Sequence, residues 1–178
     1  MNKIALISVS DKTNIDLLAS KLVENGYTII STGGTANYLQ EKGIKIIPIS
    51  KFTKFEEILG GRVKTLHPII HAGILAKSKK DLVKLKNKKY SLIDIVVVNL
   101  YPFEKTIAKK NCSFSLAIEN IDIGGPTLLR ASAKNHQRVT VLTDPLDYDQ
   151  VLDEIENKGN VQPKTRLRLA TKVYSLVS

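Results

Sequence analysis

The sequence predicts an α/β protein: a mostly parallel sheet with helices on both faces, three layers in one domain over residues 1–178. Two observations predict it. Short apolar, β-branched runs alternate with segments of helical periodicity along the whole chain, the pattern of consecutive β/α units. The run Ile93–Leu100 (IDIVVVNL) is apolar almost throughout, as a strand covered on both faces must be.

Lys3–Val9 (KIALISV) opens the chain as a buried strand. From Asp11 to Asn25, Ile15, Leu18, Ala19, Leu22 and Val23 recur at helical spacing, and Gly26 stops the helix. Tyr27–Ile30 is the second strand and Ala36–Lys42 a short helix closed by Gly43. Ile44–Ile49 is a third strand in which Pro48, having no N–H to give a ladder, specifies an edge position. Phe55–Leu59 reads as a helical turn before Gly60-Gly61, and His71–Ala76 as an apolar run of either type. Lys79–Lys89 is a lysine-rich helix, and Ile93–Leu100 the central strand. Ser115–Asn120 is a short helix, and Gly125–Asn135 a longer one with Pro126 in its first turn. Val139–Leu142 is the last strand, followed by helices from Pro145 to Asn157 and from Pro163 to the end.

At 178 residues such a domain buries a core without staples, and a single cysteine, Cys112, leaves no disulfide framework and points to a reducing compartment. Three histidines and that cysteine assemble no zinc-type cluster; His67 and His71 lie four apart but lack the acidic residue of a metalloprotease helix, so no metal site is expected. No leader-like segment and no run of membrane-spanning length is present, which reads as a soluble, cytoplasmic protein. The net charge of +10 raises the question of nucleic acid. Residues 61–110 carry 12 basic and 3 acidic groups, whereas the flanking thirds are close to balanced. Most of that excess is lysine between Lys77 and Lys89, interleaved with Leu82, Val83 and Leu85. This is a solvated helix face without arginines or an aromatic platform, and no nucleic-acid partner is expected.

In parallel sheets ligands bind beyond the carboxyl ends of the strands, and the residues with chemistry to offer fall there. The most informative is Arg62-Val63-Lys64-Thr65-Leu66-His67-Pro68 after Gly60-Gly61. On an extended chain Arg62 and Lys64 point the same way, and a guanidinium fork beside a mobile ammonium suits a phosphate monoester. Ser10-Asp11-Lys12 follows the first strand; Ser10 or Asp11 can simply cap a helix, but a lysine in the first turn opposes the helix dipole unless an anion binds there too. Thr32-Gly33-Gly34-Thr35 follows the second strand, where glycine N–H groups can approach a phosphate and the threonine hydroxyls add donors; an ordinary capped turn explains it as well. Asn99 and Tyr101 end the central strand, an amide and a phenol suited to a polar heterocycle, or else to packing at a strand terminus. Asp122-Ile123-Gly124 precedes a helix on which Arg130 and Lys134 lie four apart, a solvated face or a functional one. Each motif alone is ambiguous. All of them after successive elements of one sheet are not.

With SVSDKT, STGGTA, GGRVKTLHP, HAGILA, NLYPF and IDIGGPTLLRASAKN in one order, the chain closely resembles the IMP cyclohydrolase domain of the bifunctional purine-biosynthesis enzymes that join AICAR transformylase to IMP cyclohydrolase. The resemblance runs over residues 3 to 178. It implies a methylglyoxal-synthase-like fold and dehydrative closure of 5-formamidoimidazole-4-carboxamide ribonucleotide (FAICAR) to inosine monophosphate (IMP), without metal or coenzyme, in a homodimer. It places nucleotide contacts on Ser10, Asp11, Lys12, Thr32, Gly33, Gly34, Thr35, Arg62, Val63, Lys64, Thr65, Asn99, Asp122, Ile123 and Gly124. Proton transfer falls on Lys134, with Lys64, Tyr101 and Asp122 assisting. The residues themselves favour Lys64 as the oxyanion partner and Asp122 as the group that orients Lys134. The family's other half uses 10-formyltetrahydrofolate; its residues are missing here, and an ending within an apparent helix at Ser178 reads as a fragment of a longer enzyme. Two rival readings fit less well. Methylglyoxal synthase needs a carboxylate base and has no use for RVKTLHP with IDIGG, and a non-catalytic effector module needs the phosphate loop but not Tyr101, Asp122 and Lys134.

Overall fold

The computed structural model describes residues 3–100, 107–108 and 112–178. Its centre is a five-stranded, all-parallel sheet in the order β3-β2-β1-β4-β5. The strands are β1 (Lys3–Val9), β2 (Tyr27–Ser31), β3 (Ile46–Pro48), β4 (Ile95–Asn99) and β5 (Thr140–Leu142). Successive residues Ala5, Leu6 and Ile7 of β1 are all fully buried, which requires cover on both faces because alternate side chains point to opposite sides. Two groups of helices provide it. On one side α1 (Ile15–Glu24) packs against α8 (Tyr148–Lys158); in the other group α7 (Gly124–Lys134) packs against α4 (Pro68–Leu75) and α9 (Pro163–Leu176). Helices α2 (Gly33–Glu41), α3 (Ile49–Thr53), α5 (Lys79–Asn87) and α6 (Phe114–Glu119) complete the described elements. β3 lies at the sheet edge, as Pro48 requires.

Several boundaries differ from the sequence reading: β3 is shorter than Ile44–Ile49, the apolar run at His71–Ala76 is helix α4 starting at Pro68, and three further differences lie around α1, α2 and α3. α1 begins at Ile15 rather than Asp11, because the Asp11 carboxylate accepts from both N–H and hydroxyl of Thr13 and holds a turn that ends at Asn14, φ 55°. α2 begins at Gly33, three residues sooner than expected. Phe55–Ile58 is not helical and Leu59 only opens a single 3-10 turn over Leu59–Gly61; the α-helix is α3, upstream of it. α3 stops where Lys54 turns left-handed and the Thr53 hydroxyl donates to Ile49 O (2.9 Å) while accepting from the Phe55 N–H (3.2 Å).

The edge of the sheet opposite the carboxyl ends is tied together by Arg138. Its guanidinium donates to the carbonyls of Gly73 (2.6 Å), Ile74 (2.8 Å), Ala76 (2.9 Å) and Ile93 (3.0 Å), and lies 3.4 Å from Asp94. Asn135 Nδ2 reaches two of the same carbonyls, Ile74 (2.7 Å) and Ala76 (3.0 Å). The carbonyls left open at the end of α4 are thereby satisfied, and burial pulls the Arg138 pKa down from the ordinary arginine range. α4 starts at the other edge, beside the motif residues, so this node anchors the helix from behind.

Candidate active site

The strand order reverses between β1 and β4: from β1 the chain moves outward to β2 and β3, from β4 to β5. The crevice at the carboxyl ends of those two strands is the binding position such sheets offer. Ser10, Asp11, Asn99, Thr143, Asp144 and Lys172 line a cavity there, and the other motif segments follow along the same edge of the sheet.

Behind β1, the Thr35 hydroxyl donates to Val9 O (2.9 Å) and accepts from Val9 N (3.1 Å). The Thr32 and Ser8 hydroxyls are 2.7 Å apart. The Thr35 and Ala36 N–H groups both go to Thr32 O. The donors that the first turn of α2 can offer an anion are therefore the N–H groups of Gly33 and Gly34, and the Thr35 hydroxyl has spent its proton on β1 rather than adding a donor. Lys12 precedes α1 instead of opening it, so the dipole argument for an anion beside it lapses. Its ammonium donates to Val9 O (2.8 Å), and burial lowers its pKa, the Asp11 carboxylate opposing that shift.

The RVKT segment leaves a tight turn. Ile58 and Val63 exchange N–H···O bonds, and Leu59, Gly60 and Gly61 between them have φ of 54°, 63° and 87°, the left-handed backbone that glycine tolerates best. Val63 contributes through this backbone pairing. Arg62 has helical backbone angles (φ −62°, ψ −28°), so it does not line up beside Lys64 as an extended chain would make it. Its guanidinium makes a two-point ion pair with Glu119 of α6. Lys64 instead turns inward: a Cβ placed on Gly33 or on Gly61 would each lie 3.8 Å from its Nζ. The ammonium thus stands beside the first turn of α2, where a phosphate would meet both N–H groups and a cation, with the Glu57 carboxylate also close to Gly61.

Thr65, buried, links this loop to the next. A Cβ on Gly124 would come 2.7 Å from Thr65 Oγ1, so only glycine allows α7 to start this close. Asp122 accepts from the Gly125 N–H (2.8 Å) and caps that start, with the exposed Ile123 between them. Asn99, at the end of β4, reaches across to Ser10 and Asp11. His67, extended at φ −129° before Pro68, caps α4 through Nδ1 (3.2 Å to Ile69 N), and His71 Nδ1 sits 3.2 Å from His67 O. Among the described residues no group of three or more His, Cys, Asp or Glu could hold a metal ion.

The structure therefore places Ser10, Lys12, Thr32, Gly33, Gly34, Thr35, Lys64, Thr65, Asn99 and Asp122 along the carboxyl edge of the sheet, linked pair by pair (Ser10 with Asn99, Thr35 and Lys12 with Val9, Lys64 with Gly33, Thr65 with Gly124). Ser10, Asp11 and Asn99 line a cavity with Thr143, Asp144 and Lys172, Gly33 a second one with Glu56 and Glu57, and Tyr101 lies outside the described residues. It does not bring Lys134 to Asp122. Asp122 lies just before α7 and Lys134 is its last residue, and the 11 residues of that helix span about 16 Å at 1.5 Å per residue. The turn after Lys134 belongs to the Arg138 node at the opposite edge of the sheet. The expected meeting of carboxylate and ammonium thus fails within one chain, because a helix that leads into a parallel strand must run from the carboxyl edge to the amino edge. Sequence reading missed Ser8 and Glu119. Ser8 lies in the SVSDKT motif, one residue before the end of β1, and was open to inference; Glu119, 57 positions from Arg62, was not.

A doubly wound parallel sheet with glycine-started helices at its switch point defines the class, and the comparisons agree. The chain belongs to the MGS-like domain family, whose model matches residues 14–127. Residues 132–178 match the AICARFT/IMPCHase bienzyme family. Among curated proteins, the chain is similar to the bifunctional purine biosynthesis protein PurH of Halalkalibacterium halodurans, 56% identical over 176 residues, covering 98% of this chain and 34% of the relative. That of Caldicellulosiruptor bescii is 57% identical over 180 residues, covering 100% of this chain and 35% of the relative. The chain spans about a third of the length of the curated relatives it matches. In three dimensions it is similar to a solved structure described as the crystal structure of ForH, with TM-score 0.86 and 35% identity over 98% of this chain and 93% of the other.

Proposed function

We propose that this chain is an IMP cyclohydrolase, closing FAICAR to inosine monophosphate in purine biosynthesis. The observation that carries the reading is the position of the Lys64 ammonium, beside the glycine-rich start of α2 and one residue from Thr65 at the start of α7. In ring closure the carboxamide nitrogen, a poor nucleophile, bonds to the formyl carbon, and the formyl C=O becomes an oxyanion. The carboxamide nitrogen gives up one of its two protons and the formamido nitrogen its single proton. The oxygen takes both, the C–O bond breaks to release one water, and a C=N bond forms to the formamido nitrogen. Holding the folded-back conformer and stabilising the oxyanion supply most of what is needed.

On this reading the N–H groups of Gly33 and Gly34 and the cation of Lys64 take the phosphate end or the developing oxyanion, and Arg62 and Thr65 line the same loop. Asp122, Ile123 and Gly124 form the opposite wall, with Tyr101 assisting proton transfer. The role of Lys134 needs a second copy of the chain, because about 16 Å of helix separates it from the Asp122 wall. A homodimer in which one protomer's Lys134 enters its partner's crevice reconciles the resemblance with the geometry. No coenzyme is required; the longer relatives would use 10-formyltetrahydrofolate in the part this chain does not span. No helix among the described residues is long and apolar enough to cross a membrane, in keeping with a cytoplasmic enzyme acting on small nucleotides. The test is ultraviolet absorbance: incubation with FAICAR should generate the hypoxanthine chromophore, and a folded chain that leaves FAICAR unchanged ends the proposal.

A further inference from the structure

The Asn99 side chain is almost fully engaged before any ligand arrives. Its Oδ1 accepts from Ser10 N (2.7 Å), Ser10 Oγ (2.8 Å) and Asp11 N (3.0 Å), and its Nδ2 donates to Asp11 O (2.9 Å). The Ser10 hydroxyl also lies 3.0 Å from Leu100 O. An amide oxygen has two lone pairs, and three donors already converge on this one; a single N–H of Nδ2 remains. The place matters as much as the count. The β1–β4 ladder ends at the pair Val9 and Asn99, so beyond it the strands have no shared backbone hydrogen bonds with which to hold each other. Asn99 continues the pairing by one more step with its side chain, at the point where the strand order reverses.

We infer that Asn99 is a positioning residue: it fixes the Ser10–Asp11 loop at the switch point and governs nucleotide binding through that loop, not by reading the base. The inference rests on the cyclohydrolase reading for the identity of the ligand. Its structural half does not. Without the amide, the Ser10 and Asp11 N–H groups lose their acceptor, and of the loop's ties to the end of β4 named above only the Ser10 hydroxyl to Leu100 O is left. An Asn99 that reads the base directly has one N–H to offer, and its loss would leave the free loop untouched.

The test combines amide hydrogen exchange on the ligand-free protein with a double-mutant cycle read by IMP calorimetry. In Asn99→Ala, exchange at the Ser10 and Asp11 amides should accelerate about tenfold, which is about 1.4 kcal/mol and within what one hydrogen bond contributes. Asn99→Asp, which keeps an acceptor oxygen, should hold both amides slow even if the alanine variant folds poorly. The dissociation constant for IMP should rise about tenfold in Asn99→Ala, and adding Ser10→Ala should raise it little further, because both act through one loop. Unchanged exchange, fast exchange in Asn99→Asp, or fully additive binding losses would each overturn the inference. A wild-type chain that neither binds IMP nor converts FAICAR would sink the cyclohydrolase reading instead, and exchange would still judge the clamp.

Discussion

Mixing two inactive variants tests whether Lys134 works in a neighbouring protomer. Lys134→Ala should lower kcat roughly 10²-fold or more if the residue transfers protons, since such groups contribute about 10²–10⁴. Yet Asp122 lies just before α7 and Lys134 is its last residue, about 16 Å of helix. A unit charge 16 Å away, at an effective dielectric between 20 and 80, contributes only about 0.3 to 1 kcal/mol, or less than about sixfold in rate. A large loss therefore cannot come from action at a distance within one chain. Lys64→Ala should be equally defective. In a heterodimer of the two variants one crevice carries both lesions and the other neither, so a random mixture should recover about one quarter of wild-type turnover. The assay is FAICAR absorbance after co-refolding at equal concentrations. Two defective variants that restore nothing on mixing would refute action in trans, and near-normal turnover in Lys134→Ala would remove the residue from the chemistry and leave the duty with Lys64.

Lys64→Met, which keeps the side-chain length and loses the cation, should cost about 10²–10³ in kcat, the usual worth of one oxyanion donor; steady-state kinetics with less than a fivefold loss would count against it. Lys12→Ala and Thr35→Ala should mainly raise KM, because both side chains hold the Val9 peptide and neither faces the reacting atoms; a lost kcat at constant KM would contradict this. Arg138→Met should destabilise the fold by about 2–4 kcal/mol, since Ile74 O and Ala76 O keep Asn135 as a second donor and Gly73 O keeps the Ile93 N–H. Urea unfolding should show a midpoint lowered by about 1–2 M at unchanged slope. Replacing three lysines between Lys77 and Lys89 with glutamine should alter solubility and leave cyclisation intact, and a folded variant without activity would show that this face takes part.

Most of the fold was legible because it depends on patterns local to the sequence. β1 and β4 announce themselves as apolar runs, and Pro48 gives β3 its edge position. The site was legible as a set of loops but not as a set of contacts. Thr35 looks like a phosphate donor in isolation, yet its proton is given to Val9, 26 residues earlier. Asn99 looks like a reader of heterocycles, yet its amide is taken by a loop 89 residues away. Arg62 and Lys64 diverge because three consecutive left-handed residues twist the turn before them, a geometry that two glycines permit but do not specify. Lys134 shows the limit most clearly: helical periodicity places a residue on a face, while the direction in which the helix crosses the sheet decides which edge it reaches.

The candidate site draws on Ser10, Gly33, Lys64, Asn99 and Gly124, so its parts are spread over more than a hundred residues of chain. No smaller cooperative unit contains them all. A nascent chain emerging from the ribosome has nothing to offer a nucleotide until α7 has been made and seated against Thr65. Binding is then a sensor of complete folding, and its free energy is returned to the whole domain: free nucleotide at a hundred times Kd would add about 2.7 kcal/mol to global stability. On the proposed function, ligand supply and the lifetime of the protein against proteolysis are coupled by that arithmetic: a shortage of the nucleotide would leave a shorter-lived pool of this protein.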